Sequence, residues 1–157
     1  MTGPEFLAML PMLIAAAAAL AVMIGVAIRR SHGASAAITL SGLAASGASA
    51  LWVAARVSPV DVSGMLRVDA YGALMTCLTA AGATVVALLA WSEPPELGRS
   101  REGQREEFYI LLLLSTLGAQ VLSVAVHFAT LLLGLELLTT PLYALIAYDR
   151  RSTRALV

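Results

Sequence analysis

The sequence contains no lysine, a single cysteine and only two histidines among its 157 residues. The lone Cys77 can form no disulfide within the chain, and His32 and His127 stand too far apart in sequence to suggest a ligand pattern. No basic patch with interleaved aromatic residues is present, so nothing in the sequence suggests nucleic-acid binding. Motifs for flavin, nicotinamide or iron–sulfur binding are also missing. The sequence therefore predicts no metal and no cofactor in this chain.

Apolar residues are abundant instead. They make up 59% of the chain, charged residues 13%, and the mean hydropathy is +0.85. A soluble domain of this length does not need so much apolar surface, so the composition predicts an all-α membrane protein with several spans. The first apolar stretch lacks a positively charged start and is followed by Arg29 and Arg30, not by a cleavage site of small residues. It is therefore predicted to be a retained transmembrane helix.

Five apolar segments are long enough to cross a hydrocarbon layer of about 30 Å at 1.5 Å per residue. They predict a five-helix transmembrane bundle in a single domain, 1–157. Tyr71 and Trp91 flank the third segment and are expected to lie at the two membrane interfaces. The predicted spans are about 6–28, 34–55, 70–91, 108–126 and 128–148, with a loop at 92–107.

The arginines predict the orientation of these spans, because cytoplasmic loops carry an excess of positive residues. Eight arginines lie in the first loop, the loop 92–107 and the C-terminal tail, whereas the second loop holds only Arg56 and Arg67. The first group is Arg29, Arg30, Arg99, Arg101, Arg105, Arg150, Arg151 and Arg154. The loop 92–107 and the C-terminus are therefore predicted to be cytoplasmic, and the N-terminus to be outside.

The second span carries two stripes of small residues at four-residue spacing, which allow close packing of helices in lipid. The first stripe is Ala37, Ser41, Ala45 and Ser49, and the second is Gly42, Ser46 and Ala50. Pro11 in the first span and Pro141 in the fifth each remove one backbone hydrogen bond. Both helices are therefore expected to bend.

Glu136 is the chemically most informative residue, because it lies near the middle of the fifth span. A charge at a helix centre costs about 2.5–3.5 kcal/mol on insertion scales, and each leucine returns roughly 0.3–0.6 kcal/mol. The leucine-rich span can therefore insert with its acid. Thr139, Thr140 and Tyr143 share the helical face of Glu136 by spacing, and Pro141 follows it closely. Such a stripe favours a proton path, or alternatively hydrogen bonds that only hold neighbouring helices together.

The stretch from Glu106 to Arg151 resembles the fourth and fifth helices of subunit N of the bacterial proton-pumping NADH:quinone oxidoreductase, respiratory complex I. The resemblance follows a series of short motifs in order. They are Phe108–Tyr109, Ser115–Gly118, Gly134–Leu138, Pro141–Tyr143 and Arg150–Arg151. The first three spans resemble that family in number, length and orientation.

This resemblance implies that the chain is the N-terminal part of an antiporter-like subunit of about fourteen helices. It implies that Glu136 is the family's proton-translocating glutamate, which pairs with a lysine on a later helix. It also implies a site in the bacterial inner membrane among other membrane-arm subunits, with NAD, FMN, iron–sulfur clusters and quinone in partner subunits. Because this chain has no lysine, it is expected to be inactive alone, as a truncated member of an enzyme complex.

Two alternatives stay open. One is a subunit of a multisubunit cation/proton antiporter or of a membrane-bound hydrogenase, which share the fold and the glutamate. The other is a membrane scaffold fragment that folds without any activity. The Gly before Leu135–Glu136 and the Leu-Leu-Thr-Thr-Pro-Leu-Tyr that follows fit subunit N better than those relatives.

Overall fold

A computed structural model describes residues 3–28, 31–57, 59–92 and 105–149. Five of its helices are long and apolar enough to cross a membrane, which confirms the predicted all-α membrane fold. In chain order the elements are α1 (Gly3–Ala8), α2 (Leu10–Ile28), α3 (His32–Arg56), β1 (Val60–Val62), β2 (Leu66–Val68), α4 (Ala70–Ser92), α5 (Arg105–Val124) and α6 (Phe128–Asp149).

The first predicted span, 6–28, is divided into α1 and α2 at Met9. Pro11 is the second residue of α2, and its ring and missing N–H disturb the preceding turn. At this break the Met9 carbonyl accepts two hydrogen bonds, from Met12 N at 3.1 Å and from Leu13 N at 3.1 Å. Proline is tolerated in the first turn of a helix, so α2 begins here and continues without interruption to Ile28.

Helices α2, α3, α4 and α5 form a four-helix unit in which each packs on its neighbours and α3 also meets α5 across the centre. Helix α6 stands outside this unit and packs chiefly on α5. The chain runs up and down, so α3 and α5 are parallel, and α6 returns antiparallel to α5. This arrangement leaves most of the α6 surface without a helical neighbour among the described residues.

The interior is built largely from alanine, with larger side chains at a few levels. One apolar cluster surrounds Leu43, Tyr109 and Leu113 near the α2–α3 connection. A second cluster closes the opposite end, where Val53 and Val124 pack against the segment that joins α3 to α4. Ten of the twenty-one buried apolar residues among those described are alanine. The helix surfaces are therefore smooth and offer few bulky side chains to fix how far one helix slides along another.

The second loop contains a β-hairpin that the sequence reading did not predict. β1 and β2 pair antiparallel, with Val60 opposite Val68 and Val62 opposite Leu66. Ser63 and Gly64 form the turn with φ values of 53° and 67°, the left-handed conformation that suits the right-handed twist of a hairpin. The alternation of apolar and polar residues in each strand, with Ser-Gly between them, is the signal that was missed.

The hairpin also contacts the short turn between α5 and α6. Leu66 pairs with Ala125 in an isolated antiparallel bridge, and Val126 N donates to Met65 O at 3.1 Å. We call this pairing the outer clasp. It ties the α5–α6 hairpin to the segment between α3 and α4 at one end of the bundle.

The two small-residue stripes of α3 have different surroundings. Ser46 and Ala50 of the second stripe are buried, and Gly42 lies so close to Ala18 of α2 that no side chain would fit between them. In the first stripe, Ala37, Ser41 and Ala45 face outward. Within the described residues only the second stripe is therefore a packing face, and packing of the first stripe remains a prediction.

The orientation across the membrane remains a prediction, because the arginines at 29, 30, 99, 101, 150, 151 and 154 lie outside the described residues. We expect the end that carries the outer clasp to face away from the cytoplasm. Single cysteines at Ser63 and at Ser100, each in a Cys77→Ser background, can be probed with an impermeant thiol reagent on intact cells. Position 63 should label and position 100 should not. Labelling at position 100 alone would reverse the assignment.

Candidate functional site

Glu136 lies on the outward surface of α6. The opposite surface of the same helix, marked by the buried Gly134 and Pro141, rests on α5. No hydrogen bond or ion pair of Glu136 is found within the part of the chain that the structure describes. The described helices therefore do not surround this carboxylate, and they place it on the side of the bundle that has no further helix.

The predicted supporting residues follow Glu136 along the same surface. Thr140 and Tyr143 are exposed, the latter with 70% of its surface accessible. Thr139 is half-buried, and its hydroxyl donates to Leu135 O at 2.9 Å in its own helix. We call Glu136, Thr140 and Tyr143 the polar face of α6. Within the described residues, no hydrogen bond from its hydroxyls to a neighbouring helix is found, so the choice between a proton path and hydrogen bonds that hold helices together stays open.

Close backbone contact with α5 fixes how α6 is turned. A Cβ on Gly118 would lie 2.7 Å from Leu137 C and 2.8 Å from Leu138 Cα, and closer still to Leu138 N. A Cβ on Gly134 would lie 3.2 Å from Leu122 N. Glycine at both positions lets the two backbones touch. Because Leu137 and Leu138 point their backbone at α5, the neighbouring Glu136 is turned away from it.

Pro141 lies inside α6, which the structure draws as one continuous helix from Phe128 to Asp149. Proline has no N–H, so the carbonyl of Leu137 loses its usual helical donor. That carbonyl belongs to the peptide that approaches Gly118 most closely. The predicted bend at Pro141 remains a prediction, while the loss of one backbone bond one turn from Glu136 follows from the sequence.

A second polar group, which the sequence reading missed, lies inside the four-helix unit. Gln120 of α5 is fully buried, and its Nε2 donates to Ser46 Oγ of α3 at 3.0 Å. Ser46 Oγ in turn donates to the Pro11 carbonyl of α2 at 2.8 Å. Gln120 lies seven positions, or two helical turns, after the apolar Leu113, and this spacing indicates an interior position. The spacing does not indicate its partners on two other helices.

The fold and the polar face define a helical membrane protein with one mid-span carboxylate directed away from its own bundle. Over 156 residues the chain is 45% identical to the NADH-quinone oxidoreductase subunit N of Methylococcus capsulatus (strain ATCC 33009 / NCIMB 11132 / Bath). The match covers 99% of this chain and 31% of that relative, so the chain spans about a third of the relative's length. No family model matches the chain. The resemblance to subunit N seen in the sequence is thereby confirmed, and it extends to the first three spans.

Proposed function

We propose that this chain forms part of the membrane arm of a NADH:quinone oxidoreductase and contributes one carboxylate, Glu136, to proton translocation. The single observation that carries this proposal is the similarity to subunit N over nearly the whole chain. The position of Glu136 supports it, because a carboxylate at membrane depth without a described partner needs other protein around it. Redox chemistry, with NAD, FMN, iron–sulfur clusters and quinone, would belong to partner subunits.

The polar face of α6 indicates how the remaining protein would contribute. Lipid in contact with Glu136 and Thr140 would leave polar groups without hydrogen-bond partners, which is unfavourable in hydrocarbon. A further helix with a basic or hydroxyl side chain would supply those partners. By contrast, α4 exposes Leu74, Leu78 and Leu89 between Tyr71 and Trp91, a surface suited to lipid with aromatic residues at both interfaces. We therefore propose that α6 faces protein and α4 faces lipid.

Proton transfer across a membrane needs a series of groups, each within reach of the next directly or through water. Glu136 is the one carboxylate in the middle of a span, and the sequence has no lysine. Alone, this chain could bind and release a proton at Glu136 but could not pass it on. We therefore propose that it conducts protons only together with protein that supplies the next group.

A chimera tests the proposal. Residues 1–157 replace the matching segment of the M. capsulatus relative, and the resulting complex is purified and reconstituted in vesicles. We expect assembly and NADH-driven acidification, because the segment that packs on α6 comes from a similar subunit. The chain alone serves as the control and should leak protons no faster than empty vesicles. A chimera that fails to assemble would favour the antiporter or hydrogenase alternative. A proton leak through the chain alone would contradict the proposal that it needs other protein to conduct protons.

A further inference from the structure

Gln120, Ser46 and the carbonyl of Pro11 form a chain of hydrogen bonds that joins three helices. Gln120 and Ser46 are both fully buried. Their donor directions are determined. Ser46 has one hydroxyl hydrogen, which goes to the Pro11 carbonyl, so the Gln120 amide must donate to Ser46 Oγ and not accept from it. We call these three groups the interhelical chain.

The interhelical chain is incompletely satisfied. Among the described residues, no hydrogen-bond partner is found for the buried Gln120 Oε1. A buried acceptor without a donor offsets much of what the two hydrogen bonds contribute. An apolar side chain of similar size would avoid that penalty altogether. The net contribution of Gln120 to stability is therefore expected to be small.

A buried amide of this kind can specify the register between helices. In packed helices, one buried amide at a seam position fixes which residues lie opposite one another, at a cost in stability. The buried residues of α3 around this level are Thr39, Leu43, Ser46, Ala50 and Val53. Ser46 alone among them combines a hydroxyl with the Pro11 carbonyl of a third helix. One turn further along, Gln120 would meet Leu43 or Ala50 and lose its acceptor.

The rest of the interior does little to fix the register of the helices. Alanine supplies much of the buried surface, and small side chains allow helices to slide with little change in packing. Residues 93–104 join α4 to α5 and lie outside the described part of the chain, while α5 and α6 are linked by a short turn. The polar attachments of the α5–α6 hairpin to earlier helices include the outer clasp at its end and, near that end, the contact at 3.4 Å between the hydroxyls of Thr76 and Ser123. The interhelical chain is the attachment that lies deeper within the span and reaches both α2 and α3.

We propose that Gln120 is a positioning residue that sets the register of the α5–α6 hairpin against α2 and α3, and so the depth of Glu136 in the membrane. A displacement of α5 would move α6 with it, because the two backbones touch at Gly118 and Gly134. A shift of α5 by one turn would move Glu136 by about 5.4 Å along the membrane normal. The role concerns the depth of Glu136, and only in that sense does it rest on the proposed function.

Distance measurements between two nitroxide labels test the register without any transport assay. The labels are placed on outward residues, Leu20 of α2 and Leu133 of α6, in a Cys77→Ser background in lipid. The parent chain should give one narrow distance distribution. Gln120→Leu and Ser46→Ala should each add a population displaced by about one turn. Ser46→Thr, which keeps the hydroxyl, should resemble the parent.

Thr116→Val is the matched control. Thr116 lies one turn from Gln120 on the same helix and is buried, but its hydroxyl donates to Leu112 O at 2.7 Å within α5. Its loss should leave the distribution narrow. Equal broadening in Thr116→Val, a single narrow distribution in Gln120→Leu, or failure of Gln120→Leu to fold would each overturn the proposal. Failure to fold would show that the interhelical chain serves stability. Because proton pumping is not measured, a loss of the proposed function leaves this result unaffected.

Discussion

Replacing Glu136 by glutamine in the assembled chimera is expected to reduce proton pumping by about tenfold or more while the complex still assembles. Glutamine keeps the size and hydrogen-bonding capacity of the side chain but cannot bind and release a proton. Groups that transfer protons contribute about 10²–10⁴ to the rates that depend on them, so even partial bypass should leave a large deficit. Pumping is measured as NADH-driven acidification in vesicles, normalised to the amount of intact complex.

Asp61→Asn is the matched control for this experiment. It makes the same change from carboxylate to amide, but in the β-hairpin. There the Asp61 side chain is 71% exposed, and its Oδ1 lies 4.0 Å from Arg67 Nε. Exposed ion pairs of that kind contribute little to stability, so pumping should be unchanged. Glu136→Asp should retain part of the activity, because it keeps a titratable group one methylene further back. Normal pumping in Glu136→Gln would show that Glu136 has a structural role and does not transfer protons.

Gly118→Ala is expected to have the largest effect on the stability of the α5–α6 pair. The added Cβ would lie within 2.8 Å of backbone atoms of Leu137 and Leu138, and backbone cannot move aside as a flexible side chain can. Overpacking of this kind costs typically about 1–3 kcal/mol, occasionally more. The two helices must separate or α6 must rotate. Resistance to unfolding in a denaturing detergent, measured in mixed micelles, should therefore fall clearly.

Gly25→Ala and Gly82→Ala provide the controls for the same chemical change. Both glycines lie inside helices, and a Cβ at either position would meet nothing within 4 Å. Alanine is favoured over glycine in a helix by roughly 0.8–1.0 kcal/mol, so these variants should be neutral or slightly more stable. A stable Gly118→Ala variant with normal α5–α6 spacing would show that the close backbone contact is not required.

The helices of this protein could be predicted from the sequence, because five apolar segments of sufficient length leave few other structures in a membrane. The position of Glu136 on one face with Thr140 and Tyr143 followed from helical spacing alone. Which faces meet could not be predicted in the same way. Lipid and protein interior are both apolar, so hydrophobic periodicity does not separate them. For that reason the sequence did not show which of the two small-residue stripes of α3 packs within this chain.

Two further features depended on pairings between distant segments. The alternation around Ser63 and Gly64 indicated a hairpin, but nothing in the sequence indicated that Leu66 would bridge to Ala125. Gln120 lay at an interior spacing on α5, yet its partners, Ser46 and the Pro11 carbonyl, belong to two other helices. Such partners are decided by how helices are arranged in three dimensions, which a single sequence with smooth, alanine-rich surfaces leaves undetermined.

The outer clasp has a consequence for how the chain is made. Helices enter a membrane in chain order during synthesis, and they associate laterally only once inserted. Leu66 reaches its side of the membrane with the segment between α3 and α4, long before Ala125 is synthesised. The bridge between them can close only after α5 has crossed and brought Ala125 to the same side. This backbone pairing outside the hydrocarbon is therefore a late step of biogenesis, and a nascent chain arrested before α5 would keep the strand edge of the hairpin open to chaperones or to a partner subunit.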